Sequence, residues 1–169
     1  ELPGFLKDII VYFSKNYFVD FPKNMGEYGK EMIGISNVTN IPLYDIMTYN
    51  IFYEIFSVCT SIVTYNKNNM ITHVRNLDFG LFMNKITPIL KELSIQVNFI
   101  KDNKILYKAH TFSGYVGIFS GMKPYHFSIT INQRFALNGG YIGIYNWYYN
   151  TSASWNSLIV RDILEYNET

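Results

Sequence analysis

The sequence predicts an α+β fold in which helices and strands are segregated along the chain. Apolar residues recur at helical spacing up to Phe56, alternate with polar ones from Cys59 to Ile131, and return to helical spacing after Asn138-Gly139-Gly140. An order of helices, strands and helices favours layered α+β packing over the alternating units of a parallel sheet. No internal repeat or low-complexity segment interrupts it.

Residues 3–19 are predicted as an amphipathic helix, with Pro3 in its first turn and Phe5, Leu6, Ile9, Ile10, Phe13 and Tyr17 on one face. Docking on a core and facing lipid both suit that pattern. A break containing Pro22 spans residues 20–24. A second helix is predicted from residue 26 to about residue 36, weakened by Gly29 and Gly34. Asn40 and Pro42 open a third, from residue 42 to about 56, that buries Leu43, Ile46, Met47, Ile51 and Ile55. The alternating runs holding Val63, Ile71, Ile95, Val97, Phe99, Ile105, Tyr107, Phe119, Phe127, Ile129 and Ile131 predict about five or six antiparallel strands. Their turn signals include Lys101-Asp102-Asn103-Lys104 and Gly121-Met122-Lys123-Pro124. Trp155, Leu158, Ile159, Ile163 and Leu164 mark a last helix from about residue 153 to 166.

The only cysteine, Cys59, opens the strand-forming half directly after a long apolar helix. Free cysteine often behaves as a small core hydrophobe, but a helix-to-strand junction is normally solvent-facing. Placement there suits a chain end. If the Val58-Cys59 bond were cut, Cys59 would carry both a thiol and an α-amine of pKa roughly 7.7–8.0, and that amine would serve as its base. Asn-rich residues 65–70 predict a turn joining strands 59–65 and 70–76 into a hairpin. Side chains alternate faces, so Cys59 and Arg75 share one only if the loop is odd in length, which pairs Ser61 with Arg75. A guanidinium one diagonal step from the sulfur would favour thiolate, and Asp78 would orient Arg75 or the α-amine. A plain Arg75–Asp78 surface ion pair is the alternative.

Cys59-Thr60-Ser61-Ile62-Val63, Arg75-Asn76-Leu77-Asp78-Phe79, Phe112-Ser113-Gly114-Tyr115-Val116-Gly117 and Asn138-Gly139-Gly140-Tyr141 together resemble the acid ceramidase family. The first two motifs are shared with the related N-acylethanolamine acid amidases. Upstream, Glu1-Leu2-Pro3-Gly4 and Asn50-Ile51-Phe52-Tyr53-Glu54 look like the end of that family's small subunit. The resemblance implies an αββα sandwich of the N-terminal nucleophile hydrolase type, incomplete at its C-terminus. It also implies cleavage at Val58-Cys59 into a helical remnant (1–58) and the first part of a catalytic subunit (59–169). Carried over, Cys59 is the nucleophile and Arg75 and Asp78 its partners. The expected reaction is hydrolysis of the N-acyl bond of ceramide to sphingosine and fatty acid, in a lysosomal or secretory compartment. The alternatives are an N-acylethanolamine-cleaving amidase and a truncated lipid-binding module without turnover.

Two departures stand out. Where the family has Asn-Glu-Arg-Phe, this chain reads Asn132-Gln133-Arg134-Phe135, which leaves Gln133 as a candidate active-site wall without a carboxylate. The sequence also ends at Thr169, before the family's oxyanion-hole asparagine and second arginine, as part of an enzyme would. Expected partners are an N-acylated lipid amine, a membrane surface or lipid-presenting activator, and the second chain of a cleaved heterodimer.

Composition bounds the rest. With 169 residues, 49% hydrophobic and 18% aromatic, the chain has material for a packed domain and not for disorder. A net charge of +1 lacks the basic footprint of nucleic-acid binding. One cysteine excludes an intrachain disulfide and a cysteine-rich zinc site. His73, His110 and His126 have no acidic cluster in sequence, so neither metal nor cofactor is expected. A Cys59–His73 dyad is disfavoured because His73 should face Val63, and the other two histidines read as structural. No apolar run reaches about 18 residues, and the sequence opens on Glu1 without a charged-then-apolar leader, as it would with a signal peptide removed or never supplied. Sequons at Asn37, Asn150 and Asn167 are glycosylation candidates, although chance in so Asn-rich a chain accounts for about two. The glycines at 114, 117, 121, 139 and 140 lack nucleotide-loop spacing and read as bends or close approaches. The aromatics of residues 141–155 suit an acyl pocket and a core floor equally.

Overall fold

A proline-started helix, a pair of hairpin-forming runs and a pair of close-packed glycines decide how this chain layers. The computed structural model describes residues 25–56, 58–78, 86–132 and 155–166. The expected helix over 3–19, the break at 20–24 and residues 133–154 lie outside them. The elements are α1 (Gly26–Thr39), α2 (Leu43–Phe56), β1 (Val58–Tyr65), β2 (Ile71–Asp78), α3 (Ile86–Leu93), β3 (Ser94–Lys101), β4 (Lys104–Phe112), β5 (Ser120–Lys123), β6 (Phe127–Thr130) and α4 (Asn156–Tyr166).

α1 runs three residues past the expected end and stops where Asn40 takes a left-handed conformation, φ 57°. Pro42 lies just outside α2, its carbonyl accepting from the amides of Asp45 and Ile46 at 2.9 and 3.2 Å. The two helices meet through Met32, Ile46 and Met47, packed with Val116, Trp155 and Leu158. Of the expected α2 core, Ile46 and Met47 are buried and Leu43 is half-buried, while the side chains of Ile51 and Ile55 lie outside the description. Asn50 is fully buried and satisfied: its amide donates to the carbonyls of Ile46 and Gly114, and its oxygen accepts from the Val116 amide at 2.7 Å.

The described strands form two antiparallel sheets, β1-β2 and β3-β4-β5-β6. Asp102 and Asn103 both take positive φ, the requirement of a two-residue hairpin turn, and join β3 to β4 where the sequence predicts it. Along β4, Tyr107, Ala109 and Thr111 alternate inward. One face of the four-stranded sheet packs on α4, through Tyr107, Ala109 and Ile118 against Val160 and Leu164, with Phe127 and Ile129 alongside. A Cβ at Gly117 would collide with Ser157, and one at Gly121 with Leu164, so both glycines are the close approaches that let α4 lie on the sheet.

The other face of β6 carries the hairpin. Ser128 and Thr130 hydrogen-bond His73, and Thr130 also bonds Ser61. Helix, sheet and second sheet therefore stack in order, three layers of the expected sandwich. The outer face of the hairpin is exposed, as are Val63 and Ile71, whose β-branched character reflects strand preference and not burial. α3 was not expected. Its apolar positions Ile89, Leu90 and Leu93 are spaced helically, and Pro88 is tolerated because a first-turn residue has no intrahelical N–H bond to lose.

Arg161 of α4 ties this body to α1. It is nine-tenths buried, forks onto the Glu31 carboxylate at 2.6 and 2.7 Å, donates to the Val116 carbonyl, and lies over the Tyr28 and Phe99 rings. Tyr28 donates to Asp162 beside it.

Two predictions follow from this packing. Asn50→Ala strands the buried Val116 amide and should lower unfolding free energy by about 1–3 kcal/mol in urea titration. Burial pushes the Tyr107 phenol up to about 12, the positive charge of Arg161 offsetting part of that, and burial pushes Tyr49 to about 12 as well. Because the folded value lies above the unfolded one near 10, their contribution is intact below pH 10 and is lost as pH rises through about 12. Melting temperature should fall over that window, and less steeply in Tyr107→Phe.

Candidate active site

Cys59 is the second residue of β1, because the strand begins at Val58 and not at the cysteine. Only Ser57 separates β1 from α2. β2 begins at Ile71, since the Met70 amide donates to the Asn66 side chain and the Met70 carbonyl accepts from the Asn66 amide, which keeps Met70 in the turn. The expected strands 59–65 and 70–76 are thus 58–65 and 71–78. With β2 starting at Ile71, the loop has five residues, an odd number, and the register pairs Ser61 with Arg75, Cys59 with Leu77 and Val63 with His73.

That register puts the sulfur and the guanidinium on one face. Arg75 Nη2 lies 2.9 Å from Cys59 Sγ, and Nε and Nη2 both donate to the Ile131 carbonyl, at 3.2 and 2.9 Å. The guanidinium also lies 5.9 Å from the Phe119 ring centroid. The sulfur is half-buried, packed against the cluster of Leu90, Phe112, Tyr115 and Phe119 and not sealed within it. A half-dry setting strengthens the attraction between a cation and the negative charge a nucleophilic sulfur carries.

The remaining expected residues divide. The backbone of Asp78 pairs with Val58, so it sits at the hairpin end that holds the Val58-Cys59 bond, while its side chain lies outside the description. Gln133, Asn150 and Asn167 are outside the described residues. Asn37 is exposed near the end of α1. His73 bonds Ser128 at 2.8 Å and Thr130 at 3.3 Å, and His110 bonds Ser94 at 3.0 Å. Both act as structural histidines. Among the described residues no cluster of three or more His, Cys, Asp or Glu has metal-binding geometry, and no helix is long and apolar enough to cross a membrane.

A cleft of about 190 Å³ opens between the two sheets beside Arg75, with Leu77, Leu90, Phe112 and Phe119 as apolar walls and His110 and Lys91 among its polar lining. It adjoins the sulfur through the shared cluster. A larger groove of about 830 Å³ runs between α1, α2 and the end of β3–β4, but neither Cys59 nor Arg75 lines it. The Ile131 carbonyl and the Ser61–Thr130–Asn132 contacts are absent from any sequence reading. A backbone acceptor has no sequence signature; a hydroxyl two positions from the cysteine, on its face, was the one available signal.

Arg75→Gln removes the positive charge 2.9 Å from the sulfur and should slow iodoacetamide alkylation of the single cysteine at neutral pH by about tenfold. An unchanged rate would show the guanidinium to be electrostatically idle.

Residues 59–166 match the family of linear amide C–N hydrolases, choloylglycine hydrolase family. Acid ceramidase of Heterocephalus glaber is 46% identical over 149 residues, and acid ceramidase of Homo sapiens 44% over 149 residues; each match covers 83% of this chain and 38% of the relative. The chain therefore spans well under half the length of these relatives. Among solved structures, the Caenorhabditis elegans N-acylethanolamine-hydrolyzing acid amidase ortholog aligns with a TM-score of 0.54 and 32% identity, over 64% of this chain and 44% of that one. The α+β layering is accordingly of the N-terminal nucleophile hydrolase type.

Proposed function

We propose that this chain, which belongs to the choloylglycine hydrolase family of linear amide C–N hydrolases, supplies the nucleophile of an amidase that cleaves the N-acyl bond of ceramide. The observation that carries the reading is the 2.9 Å approach of Arg75 Nη2 to Cys59 Sγ, at the second residue of the strand that follows α2.

The chemistry begins within the chain. The Cys59 sulfur attacks the Val58 carbonyl carbon, the Cys59 nitrogen leaves with the thiol proton, and water hydrolyses the resulting thioester. Cys59 is then a chain end with its own amine as base. In turnover the sulfur attacks the amide carbonyl of the lipid, the α-amine carries the proton to the departing amine, and a second water releases the fatty acid. Arg75 holds the sulfur's charge and Asp78 orients Arg75 or the amine. Residues 1–58 and 59–169 become two chains, and Asn50, Glu31 and Tyr28 on one side still meet Val116, Arg161 and Asp162 on the other. Those contacts support a heterodimer that survives the cut. Substrates of this class reside in membranes, so a membrane surface or a lipid-presenting activator delivers them, and a lysosomal or secretory compartment houses the reaction. Exposure of Asn37 supports that route.

Ceramide is preferred to N-acylethanolamine because the relatives at 44–46% identity carry the name acid ceramidase, against 32% for the solved ethanolamide-hydrolysing ortholog. The purified protein, held at acidic pH, should yield a new N-terminus at Cys59, two chains that elute together, and faster release of fatty acid from ceramide than from the ethanolamide. Cys59→Ala should abolish both cleavage and hydrolysis. An intact Val58-Cys59 bond with no turnover would overturn the reading in favour of a non-catalytic lipid-binding module, and a preference for the ethanolamide would reassign the substrate.

A further inference from the structure

We propose that Ser61 is a positioning residue for the Cys59 thiol, acting through the 130–132 segment and Arg75. The inference rests on the reading of Cys59 as nucleophile, but its geometry stands independently.

Ser61 lies two positions from Cys59 along β1, on the same face, directly across from Arg75. Its hydroxyl is 2.8 Å from Thr130 Oγ1 and donates to Asn132 Oδ1 at 2.9 Å. Those partners flank Ile131, whose carbonyl is the acceptor for Arg75 Nε and Nη2. The Ile131 side chain packs into the apolar clusters. What it offers Arg75 is main chain, and main chain is placed by whatever holds its neighbours. Ser61 holds both.

From Asn132 back to His73 the hydrogen bonds run in one direction. A serine hydroxyl has one proton and two acceptor positions. With that proton on Asn132, Thr130 donates to Ser61, and His73 Nε2, 3.3 Å from Thr130, donates in turn to Thr130. The other ring nitrogen, Nδ1, lies 2.8 Å from Ser128 Oγ. The relay spans from β2 across β6 to β1 and fixes the two sheets at the level of the guanidinium. Strand formation does not explain a serine here, because threonine or valine is the better strand former at a half-buried position. The hydroxyl's work is between the sheets: without it the 130–132 segment can shift, the carbonyl no longer aims Arg75, and the cation drifts from the sulfur.

Cys59 is the only cysteine, so alkylation by iodoacetamide reads the site in the intact chain with no substrate. Ser61→Ala should slow alkylation at neutral pH by about three- to tenfold, in the direction of Arg75→Gln, and Ser61→Thr should restore it to within about twofold. A role confined to stability predicts the opposite sign, since a loosened hairpin exposes the sulfur and speeds the reaction. Asn132→Ala alters an exposed partner with little threat to folding, and should also slow alkylation. Unchanged or faster alkylation in both Ser61→Ala and Asn132→Ala, beside a slowed Arg75→Gln, would overturn the proposal and leave the nucleophile assignment standing. Ceramide hydrolysis by Cys59→Ala would instead overturn that assignment alone.

Discussion

The contact between a guanidinium on β2 and a sulfur on β1 depends on a third participant, the main-chain carbonyl of Ile131 just past the end of β6. Arg75 is long and flexible, and an exposed arginine near a thiol would sample many orientations at high dielectric. Two donors on the Ile131 carbonyl remove that freedom and leave Nη2 against Cys59. The site is therefore a property of sheet-on-sheet packing, not of the hairpin alone. Everything that presses the sheets together, from the histidine on β2 to the apolar cluster under the sulfur, acts on the chemistry.

The layers are set by features of different kinds. On the helix side, absent side chains matter most: Gly117 and Gly121 leave the room that Ser157 and Leu164 occupy. On the hairpin side, short hydroxyls and an imidazole meet across β6 and are mutually satisfied, as partly buried polar groups between sheets must be. At the N-terminal end, a buried amide and a buried guanidinium pin α1 and α2 to the strand half. The segment ahead of Cys59 is thereby held by side-chain contacts that do not depend on the peptide bond joining it to the rest.

Much of this was legible from residue order. The strict two-residue period of a strand makes shared faces a matter of counting, so the Ser61–Arg75 register could be read directly. The helix pair before Cys59, the Asp102-Asn103 turn and the close approach at Gly117 were equally readable, each resting on local chemistry, whereas Gly121-Met122-Lys123, expected to turn, lies within β5. What escaped did so for physical reasons. Strand ends were misplaced because the Asn66 side chain captures Met70, a choice made by one rotamer. α3 escaped because its single short amphipathic stretch carries a proline, tolerable only at that turn. The partner of Arg75 escaped because a carbonyl belongs to every residue and marks none. Val63 and Ile71 are apolar yet exposed, since β-branching suits an extended backbone whether or not anything covers it.

The five residues between β1 and β2 carry a constraint unusual for a surface turn. Such turns commonly drift in length among descendants of one ancestor, because nothing packs on them. Here, gaining or losing a single residue would invert one strand relative to the other and carry the guanidinium to the solvent side. Changes by two would preserve sidedness. Evolution at this tip is thus restricted in parity, and in identity at Asn66, whose side chain accepts from the Asn68 and Met70 amides, and at Asn69, whose left-handed φ of 59° suits asparagine.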